Sequence, residues 1–243
     1  MTHPLVIDLR GISSAPGGPV LDDGGSPAGY FSGAAGLLGI DIWNDTVKNY
    51  FRLEEAEYSK AGSGSLAWVQ IGIGPGSPPF SSLGLAMHGV AAAIRAHEDW
   101  NVEAYLMQIP RDLATDSEIA ISQARETFVL GKPATQNASV NIELWAHPLL
   151  VLEVEGLVNL LQYYVDPDGP IVRAQLAVAD SDFKPHEENL LWSQYLACKV
   201  RVNFAVTMWS PELVAWLSQL MILVARENMV GQKEILVGVS LVL

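Results

Sequence analysis

The residues best placed to do chemistry lie in Gly72-Ile-Gly-Pro-Gly-Ser77, a glycine-rich stretch between an expected strand and an expected helix. Backbone N–H groups at such a turn can approach a phosphate or another small anion, helped by the field at a helix N-terminus. Gly72, Gly74, Gly76 and Ser77 are therefore the candidate ligand-binding residues. The stretch departs from both nucleotide signatures. Ser77 stands where a dinucleotide fingerprint needs its third glycine, and no Gly-Lys-Ser/Thr ending is present. Pro75, Pro78 and Pro79 also remove donors that a phosphate cradle would use. A rigid connecting loop explains the segment better than a nucleotide site does.

The other reactive side chains do not form constellations. The histidines are His3, His88, His97, His147 and His186. His88 and His97 are nine apart, on different faces of an expected helix, and His186-Glu-Glu188 lacks the second histidine of a zinc helix. His147 precedes Pro148 at a strand end, where a general base would sit, but the sequence gives it no partner. Asp166-Pro-Asp-Gly169 is explained by turn chemistry, and Asp180-Ser-Asp182 lacks the remaining oxygen ligands of a calcium loop. No Gly-x-Ser-x-Gly elbow occurs. The one cysteine, Cys198, excludes an intrachain disulfide and any multi-cysteine metal site. The seven tryptophans raise stacking on carbohydrate, but Trp145, Trp209 and Trp216 fall at strand ends or on a helix, where packing is their expected role. The expectation is no catalytic residue, no metal and no cofactor.

Composition narrows the partners. The formal net charge is −13, with 14 Lys and Arg spread along 243 residues, so no basic groove for nucleic acid is expected. Charged residues make up 17% and hydrophobic ones 49%. That charge fraction is below the roughly 25% usual in soluble domains and leaves more weakly polar surface to be covered. No basic-then-apolar leader opens the chain, which sets the expectation of synthesis in the cytoplasm without export. The most apolar stretch, Leu213–Ala225, is broken by Ser218 and Gln219 and is too short to span a bilayer.

These residues need elements to hold them. Leu5–Leu9 reads as a short strand, followed by an arm, Gly11–Gly39, built of Gly, Pro and Ser. Asp41–Tyr58 carries Ile42, Val47, Tyr50 and Phe51 near helical spacing and is expected to be a helix. Residues 1–64 thus form an N-terminal strand, arm and helix, and 65–243 an α/β body. Within the body, Leu66–Ile73 and Val102–Leu106 are strands flanking a helix with Leu83, Met87, Val90 and Ile94 on one stripe. Thr115-Asp-Ser-Glu118 is a capping box that opens another helix.

The C-terminal half has the clearest periods. Val140, Ile142 and Leu144 alternate on a strand, then Leu150, Val154, Leu157, Leu161 and Tyr164 sit at helical spacing, and Ile171–Val178 is a strand. Val200, Val202, Phe204, Val206 and Met208 alternate without a break. Ser210 and Pro211 then cap and start a helix to about Asn228, and Glu234–Leu243 is a final strand. Val140-to-Pro148 and Val202-to-Pro211 rhyme, each running strand, Trp, Pro, helix. The expected fold is α/β (α+β), a mixed sheet of strand–helix–strand units with ferredoxin-like βαββαβ order over Ser139–Leu243.

The helix after Pro211 is apolar nearly all round. Leu213, Leu217, Leu220 and Val224 form one stripe, and Trp216 and Met221 extend it. Such a helix is buried on more than one side, so these six residues are the candidate interface. The functional expectation is a non-enzymatic structural subunit of a homo-oligomeric assembly, most concretely a virion protein of a phage capsid, neck or tail. Its partners would be copies of itself and further assembly subunits. The alternative is an α/β enzyme or ligand-binding domain using Gly72–Ser77 for a small anion.

Overall fold

The computed structural model describes residues 5–13, 51–58, 65–73, 87, 100–110, 138–146, 159, 162, 171–177, 197–226 and 234–242. In chain order these give β1 (Leu5–Ser13), β2 (Phe51–Tyr58), β3 (Ser65–Ile73), β4 (Trp100–Pro110), β5 (Ala138–Ala146), β6 (Ile171–Ala177), β7 (Ala197–Val206), α1 (Pro211–Arg226) and β8 (Glu234–Leu241). All eight strands join one sheet in the order β2-β3-β1-β4-β8-β5-β7-β6. Every neighbouring pair is antiparallel. The one helix described along its length is α1; Met87, Asn159 and Gln162 are single helical residues in stretches otherwise outside the described residues.

This overturns the expected mixed α/β sheet with a ferredoxin-like βαββαβ half. The expected half would leave β8 at an edge, whereas β8 is hydrogen-bonded on both sides, to β5 and to β4. The described residues therefore form one antiparallel eight-stranded sheet with a single helix described along its length. The boundary expected at residue 64 falls between β2 and β3, which pair with each other.

Two local expectations also change. Phe51–Tyr58 is a strand where a helix was expected. Its register against β3 passes from Leu53–Ile71 directly to Glu55–Gln70, so Glu54 is an extra, bulged residue. One inserted residue shifts the alternation by one, while the residues at helical spacing, Ile42, Val47, Tyr50 and Phe51, precede it in the sequence and only Phe51 belongs to β2. At the other site, Gly11 to Ser13 extend β1 into what reads as the arm. Gly11 lies where the β1–β4 register shifts, and a Cβ there would run into the Asn101 carbonyl oxygen. Only glycine lets the two backbones approach so closely.

The halves of the sheet repeat. The N-terminal half has the order β2-β3-β1-β4 outward to inward, and the C-terminal half has β6-β7-β5-β8. Matched by chain order, these are the same arrangement. A bulge fixes the alignment: the β1–β3 register skips Leu66 after Leu9, and the β5–β7 register skips Lys199 after Leu144. Leu9 then matches Leu144, Leu66 matches Lys199, and Asp8 matches Glu143. Because the matching strands β4 and β8 pair antiparallel, a pseudo-two-fold axis stands normal to the sheet beside Leu106 and Gly238, which face each other.

One face of the sheet carries the main core. Leu5, Ile7, Leu9, Val69, Met107, Ile142, Leu144, Val202, Phe204, Val237 and Val239 pack there with α1. The helix starts as its sequence requires. The Leu213 N–H donates to Ser210 Oγ at 3.2 Å and the Val214 N–H to the Ser210 carbonyl at 3.1 Å, with Pro211 where no N–H is needed. Ser218, the polar break in the apolar run, donates its hydroxyl to the Val214 carbonyl at 2.6 Å. The indole N–H of Trp209 reaches the Val102 carbonyl at 2.9 Å, and its ring lies 5.5 Å from that of Tyr105.

Leu217 is fully buried by its own chain. Leu217→Ala should lower unfolding free energy by about 2–5 kcal/mol, as a cavity in a packed core does, without changing the molar mass in solution. Urea unfolding and light scattering on the same samples check both halves of that statement.

Candidate functional site

The second face of the sheet concentrates the buried polar groups. β4 is buried continuously from Ala104 to Pro110, so its middle is covered on both faces. Val6, Leu106, Trp145 and Leu236 form a separate apolar cluster on this second face, with Trp68 packed against it. Among them lie Asp8, Gln108 and Glu143, each less than a tenth exposed.

The register places these residues in rows across the strands. One row runs Trp68, Asp8, Leu106, Gly238, Glu143, Arg201. The two acids flank the pseudo-two-fold axis, three strand spacings or roughly 14 Å apart. On one side the Nε of Arg10 donates to Asp8 Oδ2 at 2.9 Å and Ser65 Oγ donates to Asp8 Oδ1 at 2.5 Å. On the other side Arg201 donates to Glu143 Oε1 through Nε at 2.8 Å and through a terminal nitrogen at 2.6 Å, and the Trp145 indole N–H donates to Oε2 at 3.1 Å.

The two clusters are one device built twice with its parts exchanged. In the alignment fixed by the bulges, Arg10 matches Trp145 and Trp68 matches Arg201. Each acid thus has one Arg and one Trp at the same two positions, two residues along its own strand and directly across on the neighbour. In the N-terminal half the arginine is along the strand. In the C-terminal half it is across. Either placement gives the carboxylate a charge-assisted donor, which a buried acid requires.

Beside the C-terminal cluster, Asn203 donates to Ser139 Oγ at 2.9 Å and to Asn141 Oδ1 at 3.0 Å, while Ser139 Oγ donates to Asn203 Oδ1 at 3.3 Å. These cross-strand bonds hold the β5–β7 register. The arrangement can neutralise buried charge and fix strands. Both acids accept from arginine, which leaves neither as an obvious base or nucleophile. No group of three His, Cys, Asp or Glu able to hold a metal occurs among the described residues.

The residues expected from sequence fall elsewhere. Gly72 is inside β3, paired with Arg52, so it is not in a loop. Gly74, Gly76 and Ser77 lie outside the described residues, as do all five histidines and the acidic pairs. Cys198 sits in β7 opposite Trp145. Of the candidate interface, Leu213, Trp216, Leu217, Leu220 and Met221 are at most 2% exposed within the single chain. Val224 is in α1, with its side chain outside the described set. The second cover of the helix comes from this chain itself. Among the described residues no helix is long and apolar enough to cross a membrane.

Sequence reasoning missed Asp8, Arg10, Trp68, Glu143, Trp145 and Arg201. The available signal was a lone acid inside an apolar strand, Val6-Ile-Asp-Leu9 and Asn141-Ile-Glu-Leu144. For Asp8 the cation, Arg10, stands two residues along the same strand, whereas for Glu143 it is visible only once β5 and β7 are paired. Comparisons of the chain with protein families, with curated proteins and with solved structures found no match.

If the clusters are equivalent, the N-terminal one can be rebuilt in the C-terminal arrangement. Arg10→Trp alone should destabilise by about 3–5 kcal/mol, because it strands a buried carboxylate. Adding Trp68→Arg should recover part of that loss, with a coupling of about 1–3 kcal/mol in a double-mutant cycle by chemical denaturation. Strictly additive losses would show that the two positions do not exchange roles.

Proposed function

We propose that the protein is a non-enzymatic structural subunit of a homo-oligomeric assembly, with a virion component of the capsid, neck or tail type as its concrete form. The observation that carries this reading is the open end of the sheet. β6 pairs only with β7 among the described strands, and its Arg173, Gln175 and Leu176 are exposed, Leu176 by 46%. A terminal strand offers a row of backbone donors and acceptors to another chain unless it is blocked.

Two further points support it. The low charged fraction, 17%, leaves weakly polar surface suited to contact with neighbours. The buried acids Asp8 and Glu143 are held in ion pairs that brace the sheet. The interface attributed to α1 plays no part in this reading, because five of its six residues face the protein's own core. The Gly/Pro/Ser arm, which lies beyond Ser13 and outside the described residues, supplies a segment of the composition that lies across neighbouring subunits.

The purified chain should self-associate at micromolar concentration. Light scattering across a dilution series should give a mass that rises with concentration to a multiple of the chain mass of 26.3 kDa. Residues 14–39 should resist limited proteolysis only in the assembled fraction. A monodisperse monomer throughout the series overturns the reading.

A further inference from the structure

We propose that the two outer strands of the sheet join copies of this chain head to tail, β6 of one copy pairing antiparallel with β2 of the next. The inference rests on the assembly reading and deepens it by naming both surfaces, the partner and the register.

Strand direction permits this joint. Seven antiparallel steps separate β2 from β6, so the two outer strands run in opposite directions. A second copy in the same orientation therefore brings its β2 antiparallel to β6, with the core faces of both copies on the same side. The alternation of the sheet continues across the boundary. One joint repeated in this way closes into a ring or runs on as a filament, according to the rotation between copies.

The faces agree as well. Ile171, Ala174 and Leu176 of β6 stand opposite the core residues Val206, Phe204 and Val202, while Arg173 and Gln175 stand opposite Ala205 and Asn203. In β2, Leu53, Ala56 and Tyr58 stand opposite the core residues Ile71, Val69 and Ala67, while Glu55 and Glu57 stand opposite Gln70 and Trp68. The change of face at each bulge, Val172 or Glu54, belongs to its own strand, so a partner on the other side meets the same alternation. With both bulges passed over, one register matches the faces throughout. Ile171 then stands opposite Tyr58, Ala174 opposite Ala56 and Leu176 opposite Leu53 on the core face. On the second face Arg173 stands opposite Glu57 and Gln175 opposite Glu55.

Charge selects this partner. β2 has three Glu and one Arg in its sequence, and Arg173 is the one charged residue of β6. Pairing β2 with its own copy would set carboxylates among carboxylates, whereas β6 offers them a guanidinium. Arg173 is exposed and able to make that contact. Leu176 is 46% exposed although it holds a core-face position, and Leu53 of the next copy would stand beside it. β6 contains no proline to interrupt the new ladder.

Charge reversal tests the joint by sign. Light scattering of the full chain across a dilution series should show Arg173→Glu and Glu57→Arg each weakening association, by roughly 2- to 30-fold in the dissociation constant of the joint. Overall charge predicts the opposite for Glu57→Arg, which brings a net charge of −13 nearer to zero. An equimolar mixture of the two variants should associate as the wild type does, because each joint between unlike copies then pairs opposite charges. Crosslinking gives a second measurement. In a chain carrying both Arg173→Cys and Glu57→Cys, the two positions are seven strand spacings apart, roughly 33 Å, too far for a disulfide within one chain. Mild oxidation should therefore give a ladder of dimers, trimers and larger species on a non-reducing gel, and neither single variant should give it.

The outcomes separate the two proposals. If wild-type protein associates but Glu57→Arg associates equally or more tightly, or the oxidised double-cysteine chain stops at dimers, the β6–β2 joint is wrong and the assembly reading stands. If wild-type protein remains a monomer up to the solubility limit, the assembly reading fails and this inference fails with it.

Discussion

The structure depends on the ladder between β4 and β8. Seven residue pairs, from Ala104–Ser240 to Pro110–Glu234, join two half-sheets that otherwise pair only within themselves. Side chains on both faces of these strands are buried, from Ala104 to Pro110 and from Ile235 to Val239. Backbone groups so placed have no water to turn to, which makes each ladder bond expensive to leave unmade. The composition follows from the position. Ile235-Leu-Val-Gly-Val239 has no polar side chain, because a strand covered on both faces has no wet side to alternate with. The same argument covers Tyr105-Leu-Met, and Gln108 is the polar exception at the rim of the Leu106 cluster.

Burial pattern also decides what could be read from sequence. β7 was plain because its two faces differ: Val202, Phe204 and Val206 are buried while Arg201, Asn203 and Ala205 are half-exposed. β5 and β3 were legible on the same grounds, and α1 because a proline and a serine mark its start. β2 reads as a helix because Ile42, Val47, Tyr50 and Phe51 fall near helical spacing, and of these only Phe51 belongs to the strand. The pairing of β4 with β8, which joins the halves, was beyond reach. Local pattern reports which face a residue prefers, whereas β1 lies between β3 and β4 and β8 between β4 and β5 through contacts distant in sequence. The circumferential apolarity of α1 was real, but pattern alone does not distinguish burial by one's own chain from burial by a neighbour.

The internal repeat shows a further limit. In the sequence, Val140–Pro148 rhymes with Val202–Pro211, which suggests that successive strand–helix units correspond. In the structure β1 to β4 match β5 to β8, and the marker is a bulge at Leu66 and Lys199 rather than a shared residue type. At the most constrained site the residue types are exchanged outright. A buried carboxylate requires a cation within hydrogen-bonding distance, but nothing in that requirement says which neighbouring strand must supply it. Arg10 meets it along the strand and Arg201 meets it from across, and a tryptophan fills whichever position the arginine leaves. Comparison position by position scores both exchanges as mismatches, although the physical constraint is fully preserved. The candidate site was illegible for this reason, even though Asp8 and Glu143 each stand out as a single acid in an apolar strand.

The repeat also explains why the two kinds of edge in this sheet have different fates. Each half has an inner edge, β4 or β8, and an outer edge, β2 or β6. The inner edges meet each other, and apolar residues on both faces seal the joint: Tyr105, Met107, Val237 and Val239 on one side, Leu106 and Leu236 on the other. The outer edge at β6 has Ile171 and Ala174 on the core and leaves Leu176 exposed. A joint sealed on both faces is permanent within the chain. The same backbone chemistry thus yields a joint sealed on both faces at the centre of the sheet and, at β6, a strand paired on one side only among the described residues.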